Sequence, residues 1–135
     1  MNIELTDKEF RRLLDLVYIG NWILNSTREK DRFEDYDILQ EKLFALCAKN
    51  GMNALISRWQ GHIFPSSAYE NGGIHEAIAD YEDAVFFDIL AEELARRDLG
   101  CLDSEPADYT ELNARMDEYM DEFEKSGVEN LVIEA

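Results

Sequence analysis

The residues best suited to chemistry cluster between positions 58 and 83. His75-Glu76-Ala77-Ile78-Ala79 lies one residue away from a zinc-peptidase motif. That motif needs a second histidine one helical turn on, so that two imidazoles share a metal and the Glu activates its water. Ala79 occupies that place, and the motif fails. Glu76, Asp80 and Asp83 follow at steps of four and three residues. On a helix that spacing puts the three carboxylates on one face. Together with His75 they are candidate ligands for Mg²⁺ or Mn²⁺, which take oxygen donors. The plainer alternative is a solvated acidic face near a helix N-terminus, where acids are favoured in any case.

Two further sets are candidate binding residues. Arg58, Trp59, His62, Tyr69 and Asn71 bracket the stretch Gly61 to Gly73, and such residue types recur at binding surfaces. The alternative is that Trp59 and Tyr69 pack in the core or at its rim. Asp117, Glu118, Asp121 and Glu122 form an acidic run near the C-terminus, either a docking face for a basic partner or a solvated surface. The sequence has no Gly-rich phosphate loop, no Cys-x-x-Cys pair, no Gly-x-Ser-x-Gly elbow and no Glu-x-x-His.

The elements that must position these residues are helical. The longest pattern runs from Ile74 to Leu99, after Gly72-Gly73 and before Gly100. At about 100° per residue, Ile74, Ile78, Tyr81, Val85 and Ile89 share one side. Beyond Val85 to Phe87 the apolar side changes to Phe86, Phe87, Leu90 and Leu94. A helix whose stripe changes side meets different neighbours at its two ends.

The first helix opens on Thr6 with Glu9 three residues on, a capping box, flanked by Leu5 and Phe10 at staple positions. Phe10, Leu13, Leu14, Val17 and Leu24 make its main stripe. Leu16, Ile19 and Ile23 lie off that stripe and are candidates for a homodimer contact, with Asn21 as a buried polar residue fixing register. Asn25 to Asp31 reads as a loop. A second helix starts between Asp31 and Asp35, carries Tyr36, Leu39, Leu43, Leu46 and Cys47 on its stripe, and stops at Asn50-Gly51. Met52, Leu55, Ile56 and Trp59 repeat helical spacing, which predicts a short helix over Asn53 to Gln60. Residues 61–73 read as one irregular loop. Ser104 and Pro106 predict the start of a last helix, lined by Tyr109, Leu112, Met116, Tyr119, Met120 and Phe123 and ended by Lys125-Ser126-Gly127. A short tail, 128–135, follows. The expected fold is all-α: one domain over 1–135, an irregular four- to five-helix bundle with a central helix at about 74–99.

The chain has 135 residues and a net charge of −17. The charge is uneven. Residues 1–60 hold 10 acidic and 9 basic side chains, and residues 61–135 hold 20 and 4. Direct nucleic-acid binding and an anionic membrane surface are disfavoured, since both need cations. No apolar run approaches the roughly 20 residues of a spanning helix, and MNIELTDKEF lacks the pattern of a signal peptide. Cys47 and Cys101 make no disulfide framework, so a cytoplasmic location is expected. The leading expectation for function is a non-enzymatic protein-binding module, adaptor or inhibitor-like, with no cofactor. It would meet a basic protein through its acidic C-terminal half. Arg11, Arg12, Arg28, Lys30 and Arg32 offer a complementary patch for head-to-tail self-contact. The alternatives are a metal-dependent hydrolase of a phosphorylated small molecule, using His75, Glu76, Asp80 and Asp83, and a mimic of nucleic-acid charge.

Overall fold

A computed structural model describes residues 1–134. The chain is mostly α-helical, with four long helices and one two-stranded hairpin. It divides into two compact units, Met1–Ile78 and Ala79–Ala135.

In the first unit, α1 (Asp7–Asn25) begins with the expected box: the Glu9 N–H donates to the Thr6 hydroxyl at 3.1 Å, and the Thr6 N–H donates to the Glu9 carboxylate at 3.0 Å. Its buried face is Phe10, Leu14, Tyr18, Asn21 and Asn25. The expected stripe is thereby turned: Leu13, Val17 and Leu24 are only half-buried. Next, α2 (Glu34–Ala45) runs on into a 3-10 segment, Leu46–Asn50, closed by Gly51 at φ 71°. Its buried residues are Phe44 and Cys47, while Tyr36, Leu39 and Leu46 are exposed. Of the stripe assigned from sequence, Cys47 is in the core and Leu43 packs against it, and Phe44 takes the place of the other three. Phe44 and Tyr69 are fully buried and meet edge to face at 5.0 Å, a geometry worth about 1 kcal/mol beyond area burial.

The short helix expected over Asn53 to Gln60 is absent. A 3-10 turn, Asn53–Leu55, leads instead into β1 (Ile56–Trp59), which pairs antiparallel with β2 (His62–Pro65). Gln60 and Gly61 make the turn, with φ of 48° and 77°. Two successive positive φ values match the right-handed twist of a hairpin. The helical spacing of Met52, Leu55, Ile56 and Trp59 misleads because Trp59 faces solvent, at 66% exposure, and contributes nothing to a core stripe.

The irregular stretch expected over 61–73 is likewise ordered. After β2 come α3 (Ser67–Tyr69) and a π-type turn, Glu70–Ile74. Gly73 sits at φ 114°, which a residue with a Cβ rarely adopts. This turn feeds α4 (His75–Asp98), the expected central helix.

Ile74, the last residue of the turn, and Ile78 of α4 are buried in the core of the first unit, with Phe10, Leu14, Tyr18, Phe44 and Ile56. Beyond Ile78 the helix belongs to the second unit, where Ala91 and Ala95 are buried and the Phe87 ring lies 5.3 Å from Phe123. The expected stripes hold only in part: Tyr81 and Ile89 of the first and Phe86 of the second are exposed, Val85, Phe87, Leu90 and Leu94 are half-buried, and the unit boundary falls after Ile78, before the expected change of side. The last helix, α5 (Tyr109–Ser126), starts later than Ser104 and Pro106 predict. Asp108 is its cap, accepting from the Thr110 N–H at 2.9 Å. Leu112 and Phe123 are buried, Met116, Tyr119 and Met120 are half-buried, and Tyr109 is exposed. Residues 131–134 of the tail form neither helix nor strand. Ala135 lies outside the described residues. Among the described residues no helix is long and apolar enough to cross a membrane.

Candidate functional site

The first unit carries an open cleft of about 660 Å³ between the C-terminal half of α1, α2 and β2. Its base is a polar network. The side-chain amide of Asn21 donates to Asp37 at 3.0 Å and to Gln40 at 3.2 Å. The Asn21 carbonyl accepts from Asn25 at 2.6 Å. Asn25, only 1% exposed, also donates to the Phe33 carbonyl at 3.1 Å and accepts from the Phe33 N–H at 2.8 Å. Arg32 closes on Asp37 with Nε and Nη2 at 3.0 and 2.8 Å, while its Nη1 donates to the Asn25 carbonyl at 3.1 Å. The guanidinium and the Asn21 amide hold the Asp37 carboxyl below the usual carboxylate range.

On the opposite wall Glu41 reaches across from α2 to β2. Its carboxylate accepts from the Ile63 N–H at 2.8 Å and contacts His62 Nδ1 at 3.1 Å. The backbone N–H is the larger cause of a lowered Glu41 pKa. The two-residue turn makes Trp59 and His62 the hydrogen-bonded pair, so the Ile63 N–H points away from β1. Glu41 therefore occupies that outer-edge donor, and Pro65, two residues on, has no N–H to offer. The edge of β2 facing α2 is closed, and its side chains Ile63 and Phe64 are left to line the cleft.

The apolar wall is Trp22, Ile38 and Phe64. Trp22 is fixed from behind: its ring stacks on Tyr18 at 6.2 Å and meets His75 edge-on at 4.9 Å. The Tyr18 hydroxyl lies 2.7 Å from His75 Nε2. Burial, with a smaller contribution from Glu70, pushes the Tyr18 hydroxyl up to about 12. A phenol held protonated this firmly is a poor nucleophile at neutral pH. The Tyr18–His75 pair packs against the tryptophan ring and orients it.

No family model, curated protein or solved structure matches the chain.

The residues singled out from sequence fall in different places. His62 lines the cleft. Arg58, Trp59 and Asn71 are exposed and do not line it. Tyr69 is a correction: it is fully buried, donates its hydroxyl to Asp15 at 2.8 Å and carries the Arg11 guanidinium 4.7 Å above its ring. Burial raises its pKa, and the ring is a core group with no surface to present. The candidate metal ligands are not gathered into one place. Among the described residues no three His, Cys, Asp or Glu side chains converge to hold an ion. Glu76, Asp80 and Asp83 are exposed on one helix, where like charges turn outward to water, and His75 is engaged by Tyr18. The Asn21 amide is used inside its own unit, on Asp37 and Gln40.

Four of the five cations proposed for self-contact are likewise engaged: Arg11 and Arg12 with Asp15, Arg28 with Asp31, and Arg32 with Asp37. Asp117, Glu118 and Asp121 are exposed on α5, and Glu122 is half-buried. Glu118 pairs with Arg115 at 2.8 Å and Glu122 accepts from Asn130 at 2.6 Å.

Sequence reasoning missed Trp22, Asn25, Asp37, Ile38, Glu41 and Phe64. Asn21 and Asn25, one helical turn apart on the face that also carries Leu14 and Tyr18, were the available signal.

Proposed function

We propose that the chain is a non-catalytic protein-binding module whose second unit presents an acidic surface to a basic partner. The observation that carries this reading is the division of charge between the two units. From Ala79 onward the sequence holds 18 acidic and 4 basic side chains, against 12 and 9 before it.

The few cations of the second unit are already committed. Arg96 lies 3.8 Å from Glu92 and 3.5 Å from Glu105, Arg97 is 2.8 Å from Asp98, and Arg115 bridges Asp98 and Glu118 at 3.0 and 2.8 Å. Only Lys125 is left to offset Asp117, Asp121, Glu124 and the other outward carboxylates. A surface of one sign raises the encounter rate with a partner of the other sign and rejects partners of its own.

The test compares the parent with a variant in which Asp117, Glu118, Asp121 and Glu122 become Asn or Gln. Each is used for capture from native lysate at low and high salt. The expected result is a set of basic proteins held by the parent at low salt, released at high salt and missing with the variant. Equal capture by both proteins would overturn the reading. Competition by DNA for a captured protein would assign the surface as a mimic of nucleic-acid charge instead of an adaptor face.

A further inference from the structure

We propose that the cleft between α1, α2 and β2 is a specificity site for the basic partner, and that it seats a large apolar side chain flanked by lysine or arginine. This inference rests on the protein-binding reading above and adds to it a second contact with its own chemistry.

The apolar half of the claim comes from the wall. Ile38 is 64% exposed and Phe64 44% exposed, and both line the cleft together with a tryptophan held in place by Tyr18 and His75. The cleft volume lies within the range of about 300–1,000 Å³ found for ligand sites. Covering this wall removes aromatic and aliphatic surface from water, which is the main favourable term in peptide docking.

The charged half comes from the base and rim. Arg32 spends three of its five N–H donors inside the site, two on Asp37 and one on the Asn25 backbone carbonyl, and its charge is matched by the Asp37 carboxylate, so it is a weak attractor for an anion. His62 is held against Glu41. The Asp37 charge is offset by Arg32, which leaves Glu34 and Glu41 as the excess charge around the opening. A cation beside the apolar group is therefore attracted and an anion repelled. Gln40 uses its carbonyl on Asn21, so its amide hydrogens are available to a backbone carbonyl of the ligand. The network also fixes these groups before the ligand arrives, which lowers the ordering cost of binding.

The two tryptophans of the chain allow a direct readout. Trp59 lies outside the cleft, so in a Trp59→Phe protein the emission comes from Trp22 alone. The probe is the blocked peptide Lys-Leu-Phe-Lys. The controls are Glu-Leu-Phe-Glu, which reverses the charge, and Lys-Ser-Ser-Lys, which removes the apolar pair. A saturable change in Trp22 emission is expected with the first peptide only. Ile38→Ser, at a position exposed enough to leave the fold intact, should weaken the affinity by about tenfold.

The α5 variant described above should bind this short peptide within about twofold of the parent, since its changes lie outside the cleft. An equal response to the Glu peptide, no saturable response, or an unchanged affinity in Ile38→Ser would each overturn the proposal. Loss of lysate capture in the α5 variant, together with a silent cleft, would overturn this inference and leave the acidic-surface reading standing. A responsive cleft with unchanged capture would do the reverse.

Discussion

Asn25 joins two helices through one side chain. It ends α1, and its amide both donates to the Phe33 carbonyl and accepts from the Phe33 N–H. Phe33 is the cap of α2 and makes no side-chain cap bond of its own, so Asn25 sets where that helix begins. Asn25→Ala should cost about 2–4 kcal/mol in urea unfolding, because it removes three hydrogen bonds and leaves a Phe33 donor without its partner. A loss below about 0.5 kcal/mol would show that water replaces it fully. The sequence concealed this role, since a polar residue at a helix end is more simply read as the start of a loop. Asp98 is a second case. It sits in the last turn of α4, where the helix dipole disfavours an acid. Tyr119, Arg97 and Arg115 nevertheless face it and hold its pKa near about 2. With the folded value below the unfolded one, its contribution is complete above about pH 4 and is lost as pH falls toward 2. Asp98→Asn should lower the melting temperature at neutral pH and reduce its fall between pH 4 and 2. A parallel acid limb in parent and variant would refute the assignment.

At the scale of elements, the helices were legible wherever caps and stops were strong. Thr6 with Glu9, Asn50-Gly51, Gly72-Gly73, Gly100 and Gly127 all mark boundaries seen in the structure. The hairpin was not legible, because four-residue strands carry too little alternation and Gln60 is an unusual turn residue at positive φ. The cleft went unread for the same reason, since one of its walls is β2. An irregular loop over 61–73 would be the first site of proteolysis, and the order found there moves that site elsewhere. The connector between α4 and α5 holds exposed Leu102 to Glu105, and limited proteolysis should cut there or in the tail before it cuts between Gly61 and Gly73. First cuts inside 61–73 would contradict the observed hairpin and π-type turn. The outer side of α1 gives a further prediction. Leu16 and Ile23 are 70% and 64% exposed, opposite the buried face, whereas Ile19 packs against the core. Ile19→Glu should be strongly destabilising. Ile23→Glu should leave the melting temperature nearly unchanged and reduce the self-association expected of the parent in sedimentation. A monomeric parent would remove the dimer contact and leave the stability contrast as the test of packing.

For the whole molecule the decisive quantity is charge, which is legible in the sequence to the last residue, although its division between two units is not. The first unit is close to balanced, with cations paired to local acids, and the second carries most of the excess. Like charges on one surface repel, and salt screens them over a Debye length of about 10 Å at 0.1 M. The isolated protein should therefore become more stable as salt rises from low concentration, while its complex with a basic partner should weaken. The same physics fixes what the α5 variant should do. Asp117 and Asp121 project from exposed positions where repulsion outweighs any attraction, so neutralising them should raise the melting temperature. Glu118 and Glu122 oppose that gain slightly, because one pairs with Arg115 and the other accepts from Asn130. Exposed pairs of this kind are worth at most about 1 kcal/mol each, so the net change should be zero or a small rise. Stopped-flow binding to an identified basic partner should then show the cost in the association rate, with dissociation little altered, since steering acts before contact. A large fall in melting temperature would mean that these carboxylates hold the second unit together. An unchanged association rate would mean that the partner, if it binds, is recognised by the cleft of the first unit and not by the charge of the second.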